Sequence, residues 1–164
     1  IGLNIDAEES ERLLVSVELL QGLCEAPALA GWNGIGFVVQ AYQKRCPAVI
    51  DSVIGLARRT GHRVMVRLVK RAQQEGQAGY PVYTRKAHTD VAYLACARRL
   101  LDAADAVYPQ FATHNAHTVA AIRAMAGPYE PGHYEYQCLH GMGEPLYEEV
   151  RDRPCRIYAP VGTH

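Results

Sequence analysis

Residues 35–69 read IGFVVQAYQKRCPAVIDSVIGLARRTGHRVMVRLV, and this stretch decides the fold. Two short apolar runs, at residues 35–39 and 64–69, flank a longer segment at residues 46–60 in which apolar side chains recur every three or four positions. Short apolar runs are typical of buried strands, and the wider spacing is typical of an amphipathic helix. The stretch therefore predicts a strand, a helix and a second strand parallel to the first.

The same alternation continues outward in both directions. Helical spacing recurs in residues 8–24, 90–101 and 115–126, and Pro145 suits the first position of a short helix that runs to Val150. The apolar runs between these segments are too short for helices. The sequence therefore predicts an α/β protein with about six strands.

Each apolar run ends in a polar or aromatic residue. Because parallel strands that alternate with helices bring all their carboxyl ends to one face, these side chains are expected to converge on one site. The residues at the ends of five runs are Asp6, Gln40, Thr113-His114-Asn115, Gln137-Cys138 and Tyr158, and Arg67 lies within the sixth run, near its end.

Composition narrows the class of protein. The chain has 164 residues, 49% of them hydrophobic, and its 17 Lys and Arg balance 17 Asp and Glu, so a basic nucleic-acid-binding surface is not expected. Five widely spaced cysteines without a CxxC pair suit reduced thiols and a cytoplasmic location. The N-terminus does not read as a signal peptide, and no apolar run approaches the length that spans a bilayer.

Two junctions fit the alternation poorly. Lys70 passes to Arg71 without turn residues, and the short helix that ends at Val150 gives way almost at once to the next apolar run. We therefore expect segments of a longer chain to be omitted near positions 70/71 and 150/151 and beyond both ends. Residues 1–164 are then part of a single domain.

Arg67 is the most informative candidate site residue. A cation near the end of an apolar strand needs water, an anion or an electron-rich partner to offset its desolvation. A structural salt bridge is one interpretation. With Lys70, Thr84, Arg85, Lys86 and nearby polar residues, a phosphorylated cofactor such as a flavin is the other.

A metal site is an alternative. His114 and His117 are three residues apart and can share a helical face, and His140 and Asp6 can join them as ligands. This arrangement is typical of a metal-dependent barrel hydrolase or lyase. The competing interpretation is that Asn115 caps the helix and His117 is solvated or packed.

Several sequence blocks resemble the proline dehydrogenase domain of the bacterial bifunctional proline utilization A flavoenzymes, and the resemblance covers nearly the whole chain. The blocks are RLVK at 67–70, GYPVYTRK at 79–86, YPQFATHNAHT at 108–118 and QCLHGMGEPLYE at 137–148, extended by GLNIDAEE at 2–9, by residues 31–45 and by RPCRIYAPVGTH at 153–164.

The resemblance implies a distorted (β/α)8 TIM-type barrel with non-covalent FAD. It implies oxidation of L-proline to Δ1-pyrroline-5-carboxylate by hydride transfer from the proline C5 to the flavin N5, with electrons passed to a membrane quinone. It also implies a covalently linked L-glutamate 5-semialdehyde dehydrogenase domain, and a cytoplasmic protein with peripheral contact at the inner membrane.

The resemblance also assigns roles to residues. Asp6, Leu139 and Tyr158 are expected to bind proline, and Arg67, Asp6 and Tyr158 are expected to act in catalysis. The residues expected to bind FAD are Ala7, Gln40, Arg67, Val69, Lys70, Thr84, Lys86, Thr113, His114, Asn115, Gln137 and Cys138.

The chain departs from the family pattern at three points. The family continues RLVK with a Gly-Ala-Tyr-Trp segment, begins its barrel before Ile1, and carries two carboxylate-binding arginines after its Gly-Thr-His sequence. Taken literally, these 164 residues should bind proline poorly. A catalytically inert fragment of the barrel therefore stays an alternative.

Overall fold

The computed structural model describes residues 2–7, 10–70 and 81–158. Strands and helices alternate along the chain, as the sequence predicts. The elements are β1 (Leu3–Ile5), α1 (Leu13–Glu25), β2 (Ile35–Gln40), α2 (Cys46–Thr60), β3 (Val64–Val69), α3 (Lys86–Leu101), β4 (Val107–Ala112), α4 (Ala116–Ala126), β5 (Glu135–Leu139), α5 (Glu144–Glu148) and β6 (Cys155–Tyr158).

The six strands form one sheet in the order β1-β2-β3-β4-β5-β6, with every pair of neighbours parallel. The sheet curls into a half-barrel, so the α/β class and the partial TIM-type barrel are confirmed. The register aligns Arg67 with Gln110, Gln110 with Glu135, and Gln137 with Arg156. Side chains from β3 to β6 therefore meet in layers on the concave face.

Strand β3 shows how the two faces of the sheet differ. Val64, Val66 and Leu68 are fully buried and belong to the hydrophobic core, whereas Met65, Arg67 and Val69 alternate with them and are only half-buried. The buried set packs against the helices, and the other set lies on the concave face. The core contacts of β3 are thus made by the side chains of the convex face, and the side chains of the concave face can contact a ligand.

Three helices differ from their predicted limits, and α5 ends at Glu148 and not at the predicted Val150. Helix α3 begins at Lys86, one turn before the predicted Asp90, and an ion pair of 2.6 Å between Lys86 Nζ and Asp90 Oδ2 spans that extra turn. Helix α1 begins at Leu13 after a single 3-10 turn, later than the predicted start at residue 8, and Leu14, one of the apolar residues at helical spacing in this segment, is 67% exposed. The apolar stripe of α1 is thus narrower than its sequence indicates.

Helix α2 has the limits predicted for it. It ends at Gly61, whose φ of 74° lies in the left-handed region that favours glycine. No helix within the described ranges has the length and apolar character needed to cross a bilayer. The predicted junction at Arg71 and the Gly162-Thr163-His164 segment lie outside the described residues.

Candidate functional site

A cavity of about 780 Å³ opens at the carboxyl ends of β3, β4, β5 and β6. This volume is typical of sites for cofactors and other small molecules. Eleven of its lining residues are among the predicted site residues, and Ala112 and Met142 are additions. The predicted residues that line it are Arg67, Val69, Lys70, Lys86, Thr113, His114, Asn115, Gln137, Cys138, Leu139 and Tyr158.

Arg67 extends from β3 into this cavity. Its guanidinium carbon lies 4.6 Å from the centre of the Tyr158 ring, a distance typical of a cation–π contact. Its Nε is buried and has no hydrogen-bond partner, and no carboxylate of the described residues pairs with it. The salt-bridge interpretation of Arg67 is therefore wrong for the part of the chain that the structure describes, and a polar group remains to be satisfied.

Two lysines share one carboxylate at the edge of the cavity. Lys70 Nζ lies 2.8 Å from Asp90 Oδ1, and Lys86 Nζ lies 2.6 Å from Asp90 Oδ2. Lys70 also donates to Thr118 Oγ1 at 3.0 Å. The hydrogen bonds from Lys70 and then from Lys86 lower the pKa of Asp90. Two cations against one anion leave a net positive wall, which suits a phosphate-bearing ligand.

Tyr93 holds the ends of two strands in place from the helical layer. Its buried hydroxyl lies 3.2 Å from the Leu68 carbonyl oxygen and 3.1 Å from the Ala112 carbonyl oxygen. Burial raises the pKa of Tyr93, so its proton stays available for donation. The Lys70 ammonium lies 5.3 Å from the centre of the same ring. Tyr93 thus fixes where β3 and β4 present the cavity residues that follow them.

The loop between β4 and α4 forms another part of the wall. Asn115 caps α4, because its Oδ1 accepts from Thr118 N at 2.9 Å, which agrees with the capping interpretation of this residue. Thr113 Oγ1 accepts from the backbone N–H of Asn115 at 3.2 Å. His114 is exposed and lies beside Gly143, where an added Cβ would come within 3.1 Å of the His114 ring. Glycine at position 143 therefore leaves room for His114.

Gln137 and Tyr158 connect the floor of the cavity to Arg67. Gln137 Nε2 lies 3.3 Å from the Tyr158 hydroxyl and 2.8 Å from Glu135 Oε1. Its Oε1 is buried and has no partner among the described residues. The cavity thus holds an unsatisfied donor on Arg67 and an unsatisfied acceptor on Gln137, which suits a ligand with both kinds of polar group.

Four predicted site residues lie outside the large cavity. Asp6, Ala7 and Gln40 line a separate cavity of about 20 Å³, with room for about one water molecule, and Gln40 Nε2 donates to the Ala7 carbonyl oxygen at 3.4 Å. Thr84 is exposed and lines neither cavity. Asp6 and Gln40 were predicted from their positions at the ends of apolar runs, and Ala7 was implied by the family resemblance, but all three lie at a cavity that residues of α1 and α2 also line.

The residues of the metal alternative do not come together. Within residues 2–7, 10–70 and 81–158, no group of three or more His, Cys, Asp or Glu side chains has the geometry to hold a metal ion. His140 Nδ1 lies 3.1 Å from Glu144 Oε1, His117 is exposed, and Asp6 lies at the small cavity. The metal-dependent hydrolase or lyase interpretation therefore lacks its ligand set.

Sequence reasoning missed three contributors to the site. Ala112 ends β4 directly before Thr113, so the strand-end rule could have included it. Met142 follows β5 in a loop and gives no sequence signal. Glu135 begins β5, at the opposite end of the strand from the predicted polar residues, and contacts Gln137 from below.

The comparisons with known proteins all point to the same family. A family model described as proline dehydrogenase matches residues 1–164. The bifunctional protein PutA of Escherichia coli K12 is 64% identical over 182 aligned positions, and that of Rhizobium meliloti is 60% identical over 184. Both matches cover 100% of this chain and 14% of the relative. The chain thus spans a small part of the length of these relatives.

Solved structures of similar proteins share the fold. A crystal structure of a bifunctional proline utilization A protein superposes with a TM-score of 0.90 at 47% identity. Proline utilization A from Bdellovibrio bacteriovorus, inactivated by N-propargylglycine, superposes with a TM-score of 0.92 at 32% identity. Each match covers 99% of this chain and 18% of the other.

Proposed function

This chain belongs to the proline dehydrogenase family, and we propose that it forms part of a site that oxidises L-proline to Δ1-pyrroline-5-carboxylate with FAD as the cofactor. Bound FAD would accept the hydride from C5 of proline while the amine loses a proton, and would pass the electrons on to a quinone. The protein residues would bind the substrate and the cofactor, orient them for the reaction and tune the electrostatics of the cofactor, and no covalent intermediate with the protein would form.

Arg67 carries this proposal. Its guanidinium lies in an open cavity, contacts the face of Tyr158, and retains a buried Nε without a partner in the described part of the chain. A ring that carries hydrogen-bond acceptors and gains negative charge on reduction would satisfy this donor. A fixed positive charge there would favour the reduced state of such a ring.

The cavity wall suits the other parts of FAD. Lys70 and Lys86 are placed to neutralise phosphate charge, and Gln137 has a free acceptor for an N–H group of the ring. The polar ends of β4 and α4 would bind the ribityl and adenosine portions. We assign cofactor contacts to Arg67, Val69, Lys70, Lys86, Thr113, His114, Asn115, Gln137 and Cys138, and more distant ones to Ala7, Gln40 and Thr84.

The substrate would lie on the side of the cavity formed by Leu139 and Tyr158. Leu139 is aligned with Tyr158 in the register of β5 and β6, so an apolar and an aromatic surface lie side by side. These surfaces suit the methylene groups of a pyrrolidine ring. Asp6, which lies at the small cavity, would order the polar side of the pocket, and Arg67 and Tyr158 would contact the reacting groups.

The intact protein would contain further functional parts. The relatives are bifunctional by name and much longer than this chain, which supports an additional domain in the intact protein. The family resemblance implies that this domain is an aldehyde dehydrogenase and that the protein makes peripheral contact with a quinone-bearing membrane. The alignment with the Escherichia coli relative has 182 positions against 164 residues here, so it contains gaps opposite the relative. We propose that the additional segments of the relative fall near positions 70/71 and 150/151, where the sequence fits the alternation poorly.

The test is a visible absorption spectrum of the purified intact protein, followed by L-proline in the absence of oxygen. We expect flavin bands that bleach with L-proline and persist with D-proline, the matched control. Bands that persist with both isomers would contradict proline oxidation but leave a flavin site. A protein that stays colourless after added FAD would leave the inert-fragment alternative standing.

A further inference from the structure

Glu135 is a buried carboxylate beneath the cavity and is 5% exposed. It is the first residue of β5 and lies on the concave face of the sheet, two positions before Gln137. A buried charge is costly unless every part of it is paired. Side chains from three strands, β4, β5 and β6, pair with the Glu135 carboxylate.

Four side chains donate to this carboxylate. Gln110 Nε2 and Gln137 Nε2 lie 2.9 Å and 2.8 Å from Glu135 Oε1. Arg156 approaches with two nitrogens, Nε at 3.0 Å from Oε1 and Nη2 at 3.1 Å from Oε2, and the Tyr108 hydroxyl lies 3.3 Å from Oε2. Burial and the nearby Glu135 charge raise the pKa of Tyr108, so this hydroxyl stays a donor.

The charge on Glu135 decides how the neighbouring amides are turned. An ionised carboxylate only accepts hydrogen bonds, so Gln137 must point its amide nitrogen toward it. The Gln137 oxygen then points away, and this is the buried acceptor without a partner in the described ranges. A neutral amide at position 135 would both donate and accept, and would let the Gln137 amide turn over.

The orientation of Gln137 is passed on to Arg67. The same Gln137 nitrogen lies 3.3 Å from the Tyr158 hydroxyl, and the Tyr158 ring lies beneath the Arg67 guanidinium at 4.6 Å. Glu135 therefore stands at the base of a series of contacts that ends at the cation proposed to face the flavin. None of these contacts involves a residue outside the described ranges.

The ion pair with Arg156 does not by itself explain why a carboxylate lies buried at position 135. The Arg156 side chain is 56% exposed and can be hydrated, whereas that of Glu135 is 6% exposed. Glu135 raises the pKa of the Arg156 guanidinium, which keeps its counter-charge in place. The hydrogen bonds from Gln110, Gln137 and Tyr108 add to this ion pair, and they connect the Glu135 carboxylate to side chains of the concave face.

We propose that Glu135 is a positioning residue that fixes the Gln137 amide and the Tyr158 hydroxyl for the bound flavin. This inference rests on the proposed function. Glu135 acts through Gln137 and does not contact the reacting atoms. Its effect on FAD binding therefore depends on the presence of the Gln137 amide.

A double-mutant cycle on the intact protein tests this dependence. Glu135→Gln, Gln137→Leu and the combined variant are freed of flavin and titrated with FAD, with flavin fluorescence as the measure of binding. We expect Glu135→Gln to weaken FAD binding about fivefold to tenfold, the scale of one hydrogen bond, and to change the fine structure of the flavin absorption bands. In the Gln137→Leu background, the same change should alter affinity less than about twofold.

Two further variants distinguish an effect of side-chain geometry on FAD affinity from an effect of lost charge and from a loss of folding. Glu149→Gln removes an exposed carboxylate near α5 and should leave FAD affinity unchanged. Glu135→Gln with Arg156→Gln removes the whole ion pair and leaves no unpaired charge, so it stays informative if Glu135→Gln alone unfolds. We expect this pair to weaken FAD binding as much as Glu135→Gln alone.

The outcomes are distinct. Equal losses of FAD affinity with and without Gln137, or no loss from either Glu135 variant, would overturn the positioning role and leave the proposed function intact. A wild-type protein that binds no FAD would overturn the proposed function, and the inference would fall with it.

Discussion

The two faces of β3 differ in what they contribute. Val66 points to the helices and is 0% exposed, while Arg67, the next residue, lies in the cavity with a buried nitrogen that has no partner in the described part of the chain. Neighbouring side chains on a strand point to opposite faces, so one strand contributes side chains both to the hydrophobic core and to the cavity. The convex face holds the fold together, and the concave face keeps polar groups available for a ligand.

Strand β5 repeats the contrast with larger side chains. Tyr136 is buried on the convex face, where its hydroxyl donates to the Val119 carbonyl oxygen of α4 at 3.2 Å and its ring lies 5.6 Å from that of Tyr134. Glu135 and Gln137 flank it and face the cavity floor. The Tyr136 hydroxyl is thus paired within the fold, whereas Gln137 keeps an acceptor open to the cavity, so substitutions on the two faces should affect different measurements.

The largest expected effect comes from Val66→Ala, compared with the same change at Val69. Val66→Ala leaves a void in the core and should lower the free energy of unfolding by about 2 to 3 kcal/mol. Val69 is half-buried at the cavity, so Val69→Ala should cost less than half as much. Urea denaturation of both variants measures the difference, and equal costs would contradict the division between the two faces.

Arg67→Met tests the concave face. Arg67 has no ion pair among the described residues, so the free energy of unfolding should change by less than about 1 kcal/mol, the scale of its contact with Tyr158. FAD affinity should fall by about tenfold or more, because a charge-assisted contact is lost. Flavin content and the flavin reduction potential measure the effect. Unchanged values of both would remove Arg67 from the proposed site.

Tyr136→Phe tests a polar group on the convex face. The change removes one buried hydrogen bond and keeps the ring, so the free energy of unfolding should fall by about 0.5 to 1.5 kcal/mol. FAD affinity in the folded protein should stay within about twofold. Thermal unfolding and FAD titration give the two values, and a loss of FAD affinity without a loss of stability would be the opposite of our expectation.

Asp90→Asn gives the smallest effect and depends on pH. Lys70 and Lys86 lower the pKa of Asp90 in the folded protein, so the stability that this carboxylate contributes is present above its unfolded pKa and is lost as pH falls through the folded pKa. The contribution should be below about 1 kcal/mol, because the side chain is 35% exposed.

The stability difference between wild type and Asp90→Asn should therefore be full near neutral pH and shrink below about pH 4. Urea denaturation at several pH values measures it. A difference that grows toward acid would show that Asp90 acts in another way. Lys86→Gln, which removes only the more exposed of the two cations, is the matched control and should show a smaller pH dependence.

Most of the sheet could be predicted from the sequence. Apolar runs around Phe37, Val66 and Ile157 gave the strands, and the polar residues that follow them gave most of the large cavity. These predictions succeed because side-chain alternation and strand polarity are local rules. They need no knowledge of how strongly the sheet curls.

Curvature and depth within the barrel could not be predicted. Asp6 and Gln40 lie at strand ends and Arg67 lies near one, yet Asp6 and Gln40 border a separate small cavity that residues of α1 and α2 also line. Glu135 was missed because it begins a strand, and its function depends on partners from β4 and β6 that only the register brings together. Leu14 is exposed although it shares the apolar spacing of α1, because helical spacing does not determine which apolar residues pack against the rest of the protein.

The strand order, which equals the order along the chain, also has a consequence for biosynthesis. Each new strand pairs with the one made just before it, so the sheet can grow as the chain leaves the ribosome without waiting for later strands. Arg67 is then in place on β3 well before Tyr158 arrives on β6 to lie beneath it. Capture of the ligand would be a late event in the maturation of the protein, after the scaffold that surrounds it has formed.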